Sequence, residues 1–152
     1  MLQYKWEVAI GGMHVLSVGD AVTETFQVDD RLVSRFGEVV GDKNPLHVDA
    51  KAAARSRFGR PIAHGTLIMS FVSAMLGQRL PGPGSVYLVQ HSEYRAPVYV
   101  GDEVRITVTI SHLFSNGVAR VTHEARVGDR IAVTGYSDVL LDSQASPGKP
   151  LS

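Results

Sequence analysis

A carboxylate, a carboxamide and an imidazole lie close together in the segment Asp42-Lys43-Asn44-Pro45-Leu46-His47. Pro45 stiffens this segment, because its ring fixes its own φ and favours an extended conformation at the preceding Asn44. A carboxylate and a neutral imidazole on a rigid loop can grip one water molecule, remove its proton and return a proton elsewhere. The same residue types are also typical of an Asx turn that carries a surface histidine. The spacing alone leaves both interpretations open.

A second polar stretch, Arg60-Pro61-Ile62-Ala63-His64-Gly65, leads directly into an apolar segment. If that segment is a helix, Gly65 lies at its N-terminus, where backbone N–H groups lack intrahelical acceptors and the helix dipole is positive. Such a position suits a developing oxyanion, for example the carbonyl oxygen of a thioester as it becomes an enolate. A routine helix entry, with His64 as a local hydrogen-bonding residue, explains the same residues.

Hydrophobic periodicity and turn residues predict the elements that carry these two stretches. Alternation predicts a strand over 21–28, and helical spacing predicts a helix over 31–40 that Asp29-Asp30 caps and Gly41 ends. A loop, a short helix, a further loop and a helix buried on all sides are then expected at 42–48, 50–55, 56–64 and 65–77.

The second half of the chain has the composition of an antiparallel sheet. Stretches rich in Val, Ile, Thr and Tyr predict strands at 85–94, 103–113, 118–127 and 130–141. Asn116-Gly117 predicts a hairpin turn between the second and third of them. A buried helix followed by consecutive antiparallel strands predicts an α+β fold in which a curved sheet wraps the helix.

The tripeptide Val-Gly-Asp occurs four times, ending at Asp20, Asp42, Asp102 and Asp129. Most copies are expected to be simple turns, so the tripeptide by itself says little about Asp42. Only the second copy continues into the Asn-Pro-Leu-His run. That continuation, and not the tripeptide, singles out Asp42.

Composition narrows the function classes. The 152 residues suit one domain, and 15 Lys+Arg balance 15 Asp+Glu, which argues against a nucleic-acid partner. The absence of cysteine excludes disulfides, thiol nucleophiles, Fe–S clusters and thiolate zinc sites. No apolar run is long enough to span a bilayer and the N-terminus does not read as a signal peptide. We therefore expect a cytoplasmic protein with no membrane partner.

Taken together, Gly41–His47 and Phe58–Gly65 resemble two motifs of the MaoC-like, or hydratase-2, family of (R)-specific enoyl-CoA hydratases. The first has the form Gly-Asp-x-Asn-Pro-(aliphatic)-His, and the second reads Phe-Gly-Arg-Pro-Ile-Ala-His-Gly. Leu80–Gly82 and Tyr94–Asp102 resemble the later part of the family, so that the resemblance extends from about Phe26 to Leu141. It implies a single hot-dog fold, an antiparallel β-sheet wrapped around a long central helix.

The resemblance also implies roles for individual residues. Asp42 and His47 match the catalytic pair that activates water, and Asn44 matches the asparagine that supports their geometry. Gly65 matches the residue whose backbone N–H polarises the thioester carbonyl. Ser73 aligns with a serine that lines the site of some members.

The predicted activity is the reversible addition of water to a trans-2-enoyl thioester, giving the (R)-3-hydroxyacyl thioester. The substrate is expected to be carried by coenzyme A or by an acyl carrier protein, with no cofactor apart from that coenzyme A. A hot-dog thioesterase and a non-catalytic acyl-thioester-binding subunit are the alternatives. A homodimer or higher homo-oligomer is expected, because a lone hot-dog sheet leaves a long edge unpaired.

The acyl pocket is expected to be lined from the central helix, with candidates Leu67, Phe71, Met75 and Leu76. No metal is expected, because Asp42 and His47 lack a convincing third ligand, although Asp49 lies close in sequence. Residues 1–20 are predicted to extend the domain at its N-terminus, 21–141 to form the MaoC-like domain, and 142–152 to be a flexible tail.

Overall fold

The structure is a computed structural model that describes residues 6–9 and 13–141. The helices are α1 (Asp30–Val40), α2 (Pro45–Val48), α3 (Ala50–Arg55) and α4 (Gly65–Gln78). The strands are β1 (Trp6–Ala9), β2 (Met13–Leu16), β3 (Ala21–Gln27), β4 (Val86–Tyr94), β5 (Glu103–Leu113), β6 (Val118–Val127) and β7 (Arg130–Leu140). The predicted strands and the three predicted helices are confirmed and differ only at their ends.

Five antiparallel strands form the main sheet in the order β3-β5-β6-β7-β4, and β1 pairs with β2 in a separate two-stranded sheet. Alternate residues of β5, including Ile106 and Ile110, are completely buried in the core that also contains Leu67, Val72 and Met75 of α4. The sheet therefore wraps the central helix, and the predicted α+β architecture is confirmed. Strands β3 and β4 are the two edges of the sheet.

Local hydrogen bonds explain why α1 stops immediately before Asp42. The Asp29 carboxylate accepts a hydrogen bond from the Leu32 N–H at 2.7 Å and caps the start of the helix. Gly41 adopts the left-handed conformation, with φ of 77°, at the other end. Glycine reaches this conformation at little cost, and both predicted helix ends are confirmed.

The expectation of an irregular loop over 42–48 is wrong for its second half, which forms the short helix α2. Pro45 occupies the first turn, where its missing N–H costs nothing. The Asn44 side-chain oxygen accepts a hydrogen bond from the Leu46 N–H at 3.1 Å and caps the helix. This turn gives the segment a fixed shape and a defined direction for His47.

The expectation that α4 is buried on all sides is also wrong for the single chain. Its sheet-facing residues are buried, whereas one face of small and polar residues is exposed, namely Thr66, Ser70, Ser73, Ala74 and Gln78. The physical reason is that one sheet covers only one side of a helix. The exposed residues recur at helical spacing and so form a continuous stripe.

The described part of the predicted N-terminal extension is the β1–β2 hairpin and the turn that follows it. Leu16, at the end of β2, is buried in the same core as α4. The predicted tail, 142–152, lies outside the described residues. Within 6–9 and 13–141, no helix is long and apolar enough to cross a membrane.

Candidate active site

The segment after α1 is held by hydrogen bonds between its own side chains and backbone. The Asp42 carboxylate accepts a hydrogen bond from the Asn44 N–H at 3.1 Å. Asn44 in turn caps α2, as described above, so the two residues together fix the path of the chain. Half of the Asp42 side chain (48%) remains exposed, which leaves carboxylate surface for a bound molecule.

The orientation of His47 is set by a backbone carbonyl. Its Nδ1 lies 2.7 Å from the Ile62 carbonyl oxygen. A carbonyl oxygen can only accept, so Nδ1 carries the hydrogen in this contact. In the neutral ring, Nε2 then has a free lone pair and can accept a proton.

Backbone hydrogen bonds bring the two polar stretches together at the start of α4. The Ile62 N–H donates to the Leu46 carbonyl at 3.1 Å, and the Ala63 N–H donates to the Val98 carbonyl at 2.7 Å. Gly65 follows as the first residue of α4, so its N–H has no acceptor within the helix. The rigid segment that carries His47 and the helix N-terminus are thus fastened to each other.

A cavity of about 420 Å³ lies between these elements. Both His47 and Gly65 line it, with Arg57 and Arg95 among the polar residues. Its apolar wall is supplied by Ile62, Ala63, Ile68, Val98 and Val133. An apolar chamber with a few convergent polar groups is the usual form of a small-molecule site.

Tyr94 forms part of the same cavity wall, at the end of edge strand β4. Burial raises the pKa of its hydroxyl above the ordinary value. The phenol is protonated at neutral pH and keeps an O–H that can donate a hydrogen bond.

His64, which the sequence suggested only as a local hydrogen-bonding residue, also belongs to this site, as do the unpredicted cavity residues Ile68 and Tyr94. Its side chain is only 2% exposed, and its ring lies against that of His47 with 3.9 Å between centroids and an interplanar angle of 34°. Its Nε2 lies 3.2 Å from the Asp42 carbonyl oxygen and 4.0 Å from the Asp42 carboxylate. The one signal in the sequence is its place just before the helix, where Ser, Thr, Asp or Asn is usual.

Asp42, His47 and His64 could together hold a metal ion. Each offers one ligand atom, and these atoms lie within 4.8 Å of one another. Tetrahedral zinc would require them to be about 3.3 Å apart, so the side chains would have to close in. Asp49, the nearby carboxylate considered from the sequence, instead caps α3 by accepting hydrogen bonds from the Lys51 and Ala52 N–H groups.

The residues proposed from the sequence to line an acyl pocket lie elsewhere in α4. Leu67, Met75 and Leu76 are buried in the core, and Phe71 stacks on Phe26 with 4.3 Å between ring centroids. Ser73 is on the exposed stripe of the helix. The cavity formed by the described residues of one chain does not include any of these five α4 residues in its lining. Their contact with a substrate stays a prediction.

The other Val-Gly-Asp copies form turns, as expected. The Asp20 carboxylate accepts a hydrogen bond from the Ser17 N–H at 2.8 Å. The Asp102 carboxylate accepts one from the Tyr99 N–H at 2.9 Å and pairs with Arg60 and Arg130 at 3.8 and 3.6 Å. Asp129 lies in the turn between β6 and β7, so that of the four aspartates only Asp42 lies beside the cavity residue His47 and its neighbour His64.

The chain belongs to the MaoC-like domain family, because residues 14–133 match that family's model. It is 43% identical over 111 residues to an (R)-specific enoyl-CoA hydratase of Aeromonas caviae. The matched region covers 72% of this chain and 83% of that relative. It is 44% identical over 101 residues to a 3-hydroxybutyryl-CoA dehydratase of Methylorubrum extorquens. That match covers 66% of this chain and 64% of the relative, so slightly less than two thirds of the dehydratase is represented here.

Solved structures agree with this assignment. The (R)-hydratase from A. caviae involved in PHA biosynthesis superimposes with a TM-score of 0.81 at 40% identity, covering 84% of this chain and 98% of that one. An R-hydratase from Pseudomonas aeruginosa in the unliganded form gives 0.79 at 29% identity, with 90% and 92% covered. The chain therefore has the hot-dog fold that the sequence predicts.

Proposed function

We propose that this protein is a hydro-lyase that reversibly adds water to a trans-2-enoyl thioester, giving the (R)-3-hydroxyacyl thioester. The observation that carries this proposal is that His47 and Gly65 line one cavity, while the Asp42 carboxylate lies within 4.8 Å of the imidazole nitrogens of His47 and His64. Proton-transfer groups and an unpaired backbone N–H are the two components that conjugate addition of water needs. The names of the most similar relatives support the same reaction.

Asp42 and His47 hold the attacking water. His47 Nε2 takes one proton from it, because Nδ1 is committed to the Ile62 carbonyl, and the Asp42 carboxylate accepts a hydrogen bond from the O–H that the attacking oxygen keeps. The water oxygen bonds to C3 while the electrons of the C2=C3 bond move towards the thioester carbonyl. Return of a proton to C2 completes the addition, and the same steps in reverse give dehydration.

The Gly65 N–H stabilises the negative charge that develops on the thioester oxygen. It lies at the first residue of α4, where the helix dipole is positive. The contact is stronger in the enolate-like transition state than in the ground state, so it lowers the barrier instead of merely tightening binding.

The substrate is an acyl thioester whose acyl chain lies against the apolar cavity wall. Arg57 provides positive charge at the same cavity, and Arg95, which pairs with Glu93, adds a second guanidinium. Guanidinium groups suit the phosphates of coenzyme A or of a phosphopantetheine arm. Hydration changes no oxidation state overall, and we expect the enzyme to need no cofactor other than the coenzyme A of its substrate. Comparing Arg57→Ala on acyl-CoA and on acyl carrier protein shows which carrier this side of the site serves.

We further propose that two copies form a homodimer through edge strand β4 and the exposed stripe of α4. Strand β4 carries exposed apolar side chains, namely Val86, Leu88, Val89 and Tyr94. An edge with free backbone groups and apolar side chains favours pairing with another strand. A twofold axis at this edge would also bring the two α4 stripes together and place Tyr94 of each cavity at the interface.

The test is hydration of crotonyl-CoA by the purified protein, followed by loss of the enoyl chromophore, with the stereochemistry of the 3-hydroxy product determined. We expect turnover and the (R) product. Release of free thiol from a saturated acyl-CoA would instead identify a thioesterase. Binding of the enoyl thioester without any turnover would identify a non-catalytic thioester-binding subunit.

A further inference from the structure

We propose that His64 is a positioning residue that holds Asp42 and His47 in their reactive arrangement. This inference rests on the function proposed above. His64 is almost completely buried, and it contacts both groups through different atoms, its Nε2 towards Asp42 and its ring face towards His47. Each partner belongs to the segment after α1, whereas His64 belongs to the entry of α4. It therefore provides a second side-chain link between the two motifs, in addition to the hydrogen bond from His47 to the Ile62 carbonyl.

The imidazole is not placed there to cap the helix. His64 occupies the N-cap position of α4, but within the described part of the chain its side chain makes no cap hydrogen bond. Residues that cap helices by their side chains are mostly Ser, Thr, Asp and Asn. The ring turns away from the helix and towards Asp42 instead, so the helix does not account for a histidine at this position.

The hydrogen bond to Asp42 has a defined direction. The Asp42 carbonyl oxygen can only accept, so His64 Nε2 carries the hydrogen across the 3.2 Å between them. The same Nε2 is 4.0 Å from the carboxylate of that residue. His64 therefore restrains the backbone that carries the carboxylate and lies beside the carboxylate itself.

The position of His64 leaves its other ring nitrogen, Nδ1, without a hydrogen-bond partner among the described residues. This nitrogen is nevertheless buried. An unsatisfied buried polar atom disfavours folding. A phenylalanine or leucine would fill the same space without that penalty, so the geometry points to a role for the Nε2 hydrogen bond.

A glycine in α1 makes the contact possible. A Cβ at Gly37 would lie 2.7 Å from the Asp42 carbonyl oxygen and 3.5 Å from His64 Cε1 and Nε2. Glycine is a poor residue for the interior of a helix, and Gly37 is buried there. Its missing side chain lets the Asp42 carbonyl approach His64, which gives a second way to disturb the contact without changing His64.

Two substitutions separate the hydrogen bond from the ring contact. His64→Phe keeps a ring beside His47 and removes the donor, whereas His64→Gln keeps a donor near the Nε2 position and removes the ring. We expect His64→Phe to lower kcat roughly 10- to 100-fold with KM nearly unchanged, since small displacements of reacting groups cost this much. We expect His64→Gln to retain kcat within about threefold, because the hydrogen bond positions Asp42.

The dependence of kcat on pH separates positioning from proton transfer. Both ionising limbs of the wild-type profile should persist in His64→Phe at the lower rate. Loss of one limb would make His64 an acid or base in the reaction and would overturn the proposal. His112 is an exposed histidine on β5, and His112→Phe and His112→Gln serve as matched controls with unchanged kcat.

Gly37→Ala tests the same contact from α1. We expect Gly37→Ala to lower kcat by a factor similar to that of His64→Phe. The kcat of the Gly37→Ala/His64→Phe double variant should be no lower than that of the slower single variant. Residues that act through one contact are not additive. Multiplied losses in the double variant would show separate roles and would contradict the proposal.

Hydrogen exchange provides a readout that does not depend on the reaction. Amides of the segment 42–47 should exchange faster in His64→Phe and Gly37→Ala than in the wild type, and those of β6 should not. If the wild type fails to hydrate crotonyl-CoA but these amides lose protection, the proposed function fails and the positioning role stands. Wild-type protection and wild-type kcat in both variants would overturn the positioning role.

The role of His64 is also tested by removing and adding metal ions, because Asp42, His47 and His64 could together ligate one. We expect full activity after treatment with EDTA and no gain from added Zn²⁺. Activity that EDTA abolishes and Zn²⁺ restores would make His64 a metal ligand and would overturn the proposal. If His64→Phe does not fold, His64→Gln and Gly37→Ala still decide the exchange and pH tests.

Discussion

Gly65 and Tyr94 lie so close that a Cβ on Gly65 would come within 2.7 Å of the tyrosine ring. Gly65, whose N–H we propose to stabilise the oxyanion, therefore cannot carry a side chain while Tyr94 keeps its place. Tyr94 lies at the end of edge strand β4. The position of this strand therefore restricts the first residue of α4 to glycine. This contact connects the geometry of the site to the edge through which we propose that the protein dimerises.

Gly65→Ala should lower kcat/KM by about 10- to 1,000-fold, because the new methyl group displaces either the N–H or the tyrosine ring. Tyr94→Ala makes room for that methyl group. In the Tyr94→Ala background, Gly65→Ala should therefore cost much less than in the wild type. Steady-state kinetics of the four proteins measures this coupling. Equal costs in the two backgrounds would show that the ring contact is irrelevant to the amide.

Asp42→Asn and His47→Ala should each lower kcat by at least about 10²- to 10⁴-fold, since one removes the carboxylate that orients the water and the other removes the base that deprotonates it. The kcat of the Asp42→Asn/His47→Ala double variant should be little lower than that of the slower single variant, because the two groups act on the same water molecule. Asp20→Asn and Asp102→Asn, in turn-forming copies of the same tripeptide, are the controls and should hydrate crotonyl-CoA nearly as fast as the wild type. Circular dichroism confirms that all variants fold. Equal sensitivity of all three aspartates would favour the simple-turn interpretation of Asp42.

Chain-length preference should respond to Ile68, which lines the cavity. Ile68→Ala enlarges the apolar wall and should shift preference towards longer acyl chains by about 1–3 kcal/mol per methylene. Ile68 and Leu76 both belong to the core, so each alanine substitution should also destabilise the fold by about 2–5 kcal/mol, whereas only Ile68→Ala should change chain-length preference. Rates on C4 to C8 enoyl-CoA and urea unfolding separate the two effects. If only Leu76→Ala changes the preferred acyl chain length, the acyl pocket lies beside Leu76, as the sequence predicted.

Stability should fall in mild acid because of His123, a histidine on β6 that is only 4% exposed. Burial, with a smaller effect from His91, lowers the pKa of His123 to about 4, whereas the unfolded chain titrates near 6.5. The unfolded state therefore binds the proton first, and stability present above pH 6.5 is lost as the pH falls towards 4. The full loss is on the order of 3 kcal/mol.

Urea unfolding at pH 7, 5.5 and 4.5 measures this loss. His123→Phe removes the titrating group and should flatten the dependence on pH, while His112→Phe should leave it as in the wild type. Gly135 lies beside His123, where a Cβ would come within 2.7 Å of Nε2. A His123→Phe protein with unchanged acid sensitivity would assign the effect to other groups.

Light scattering at micromolar concentration should give the mass of a dimer. Leu88→Lys places a charge on edge strand β4, where the leucine is 52% exposed, and should shift the protein towards monomer with reduced activity. Val39→Lys is the matched control, because Val39 is 85% exposed on α1, away from that edge. A fully active wild-type monomer would contradict the dimer.

The sequence by itself determined strands β3 to β7, helices α1, α3 and α4, and the two motifs of the site. Local rules were sufficient, because a cap such as Asp29 or a left-handed turn such as Gly41 depends only on neighbouring residues. The run from Asp42 to His47 was recognisable for the same reason, since its chemistry lies in consecutive residues.

Tertiary structure decided which residues meet across the chain. His64 joins Asp42 through a contact 22 residues apart, and no periodicity encodes such a distance. The face of α4 that borders the cavity depended on how the sheet curves, so that of three core residues, Leu67, Ile68 and Leu76, only Ile68 also lines the cavity. An apolar helix offers similar side chains all round, and only packing against the sheet assigns each of them to core, cavity or open surface.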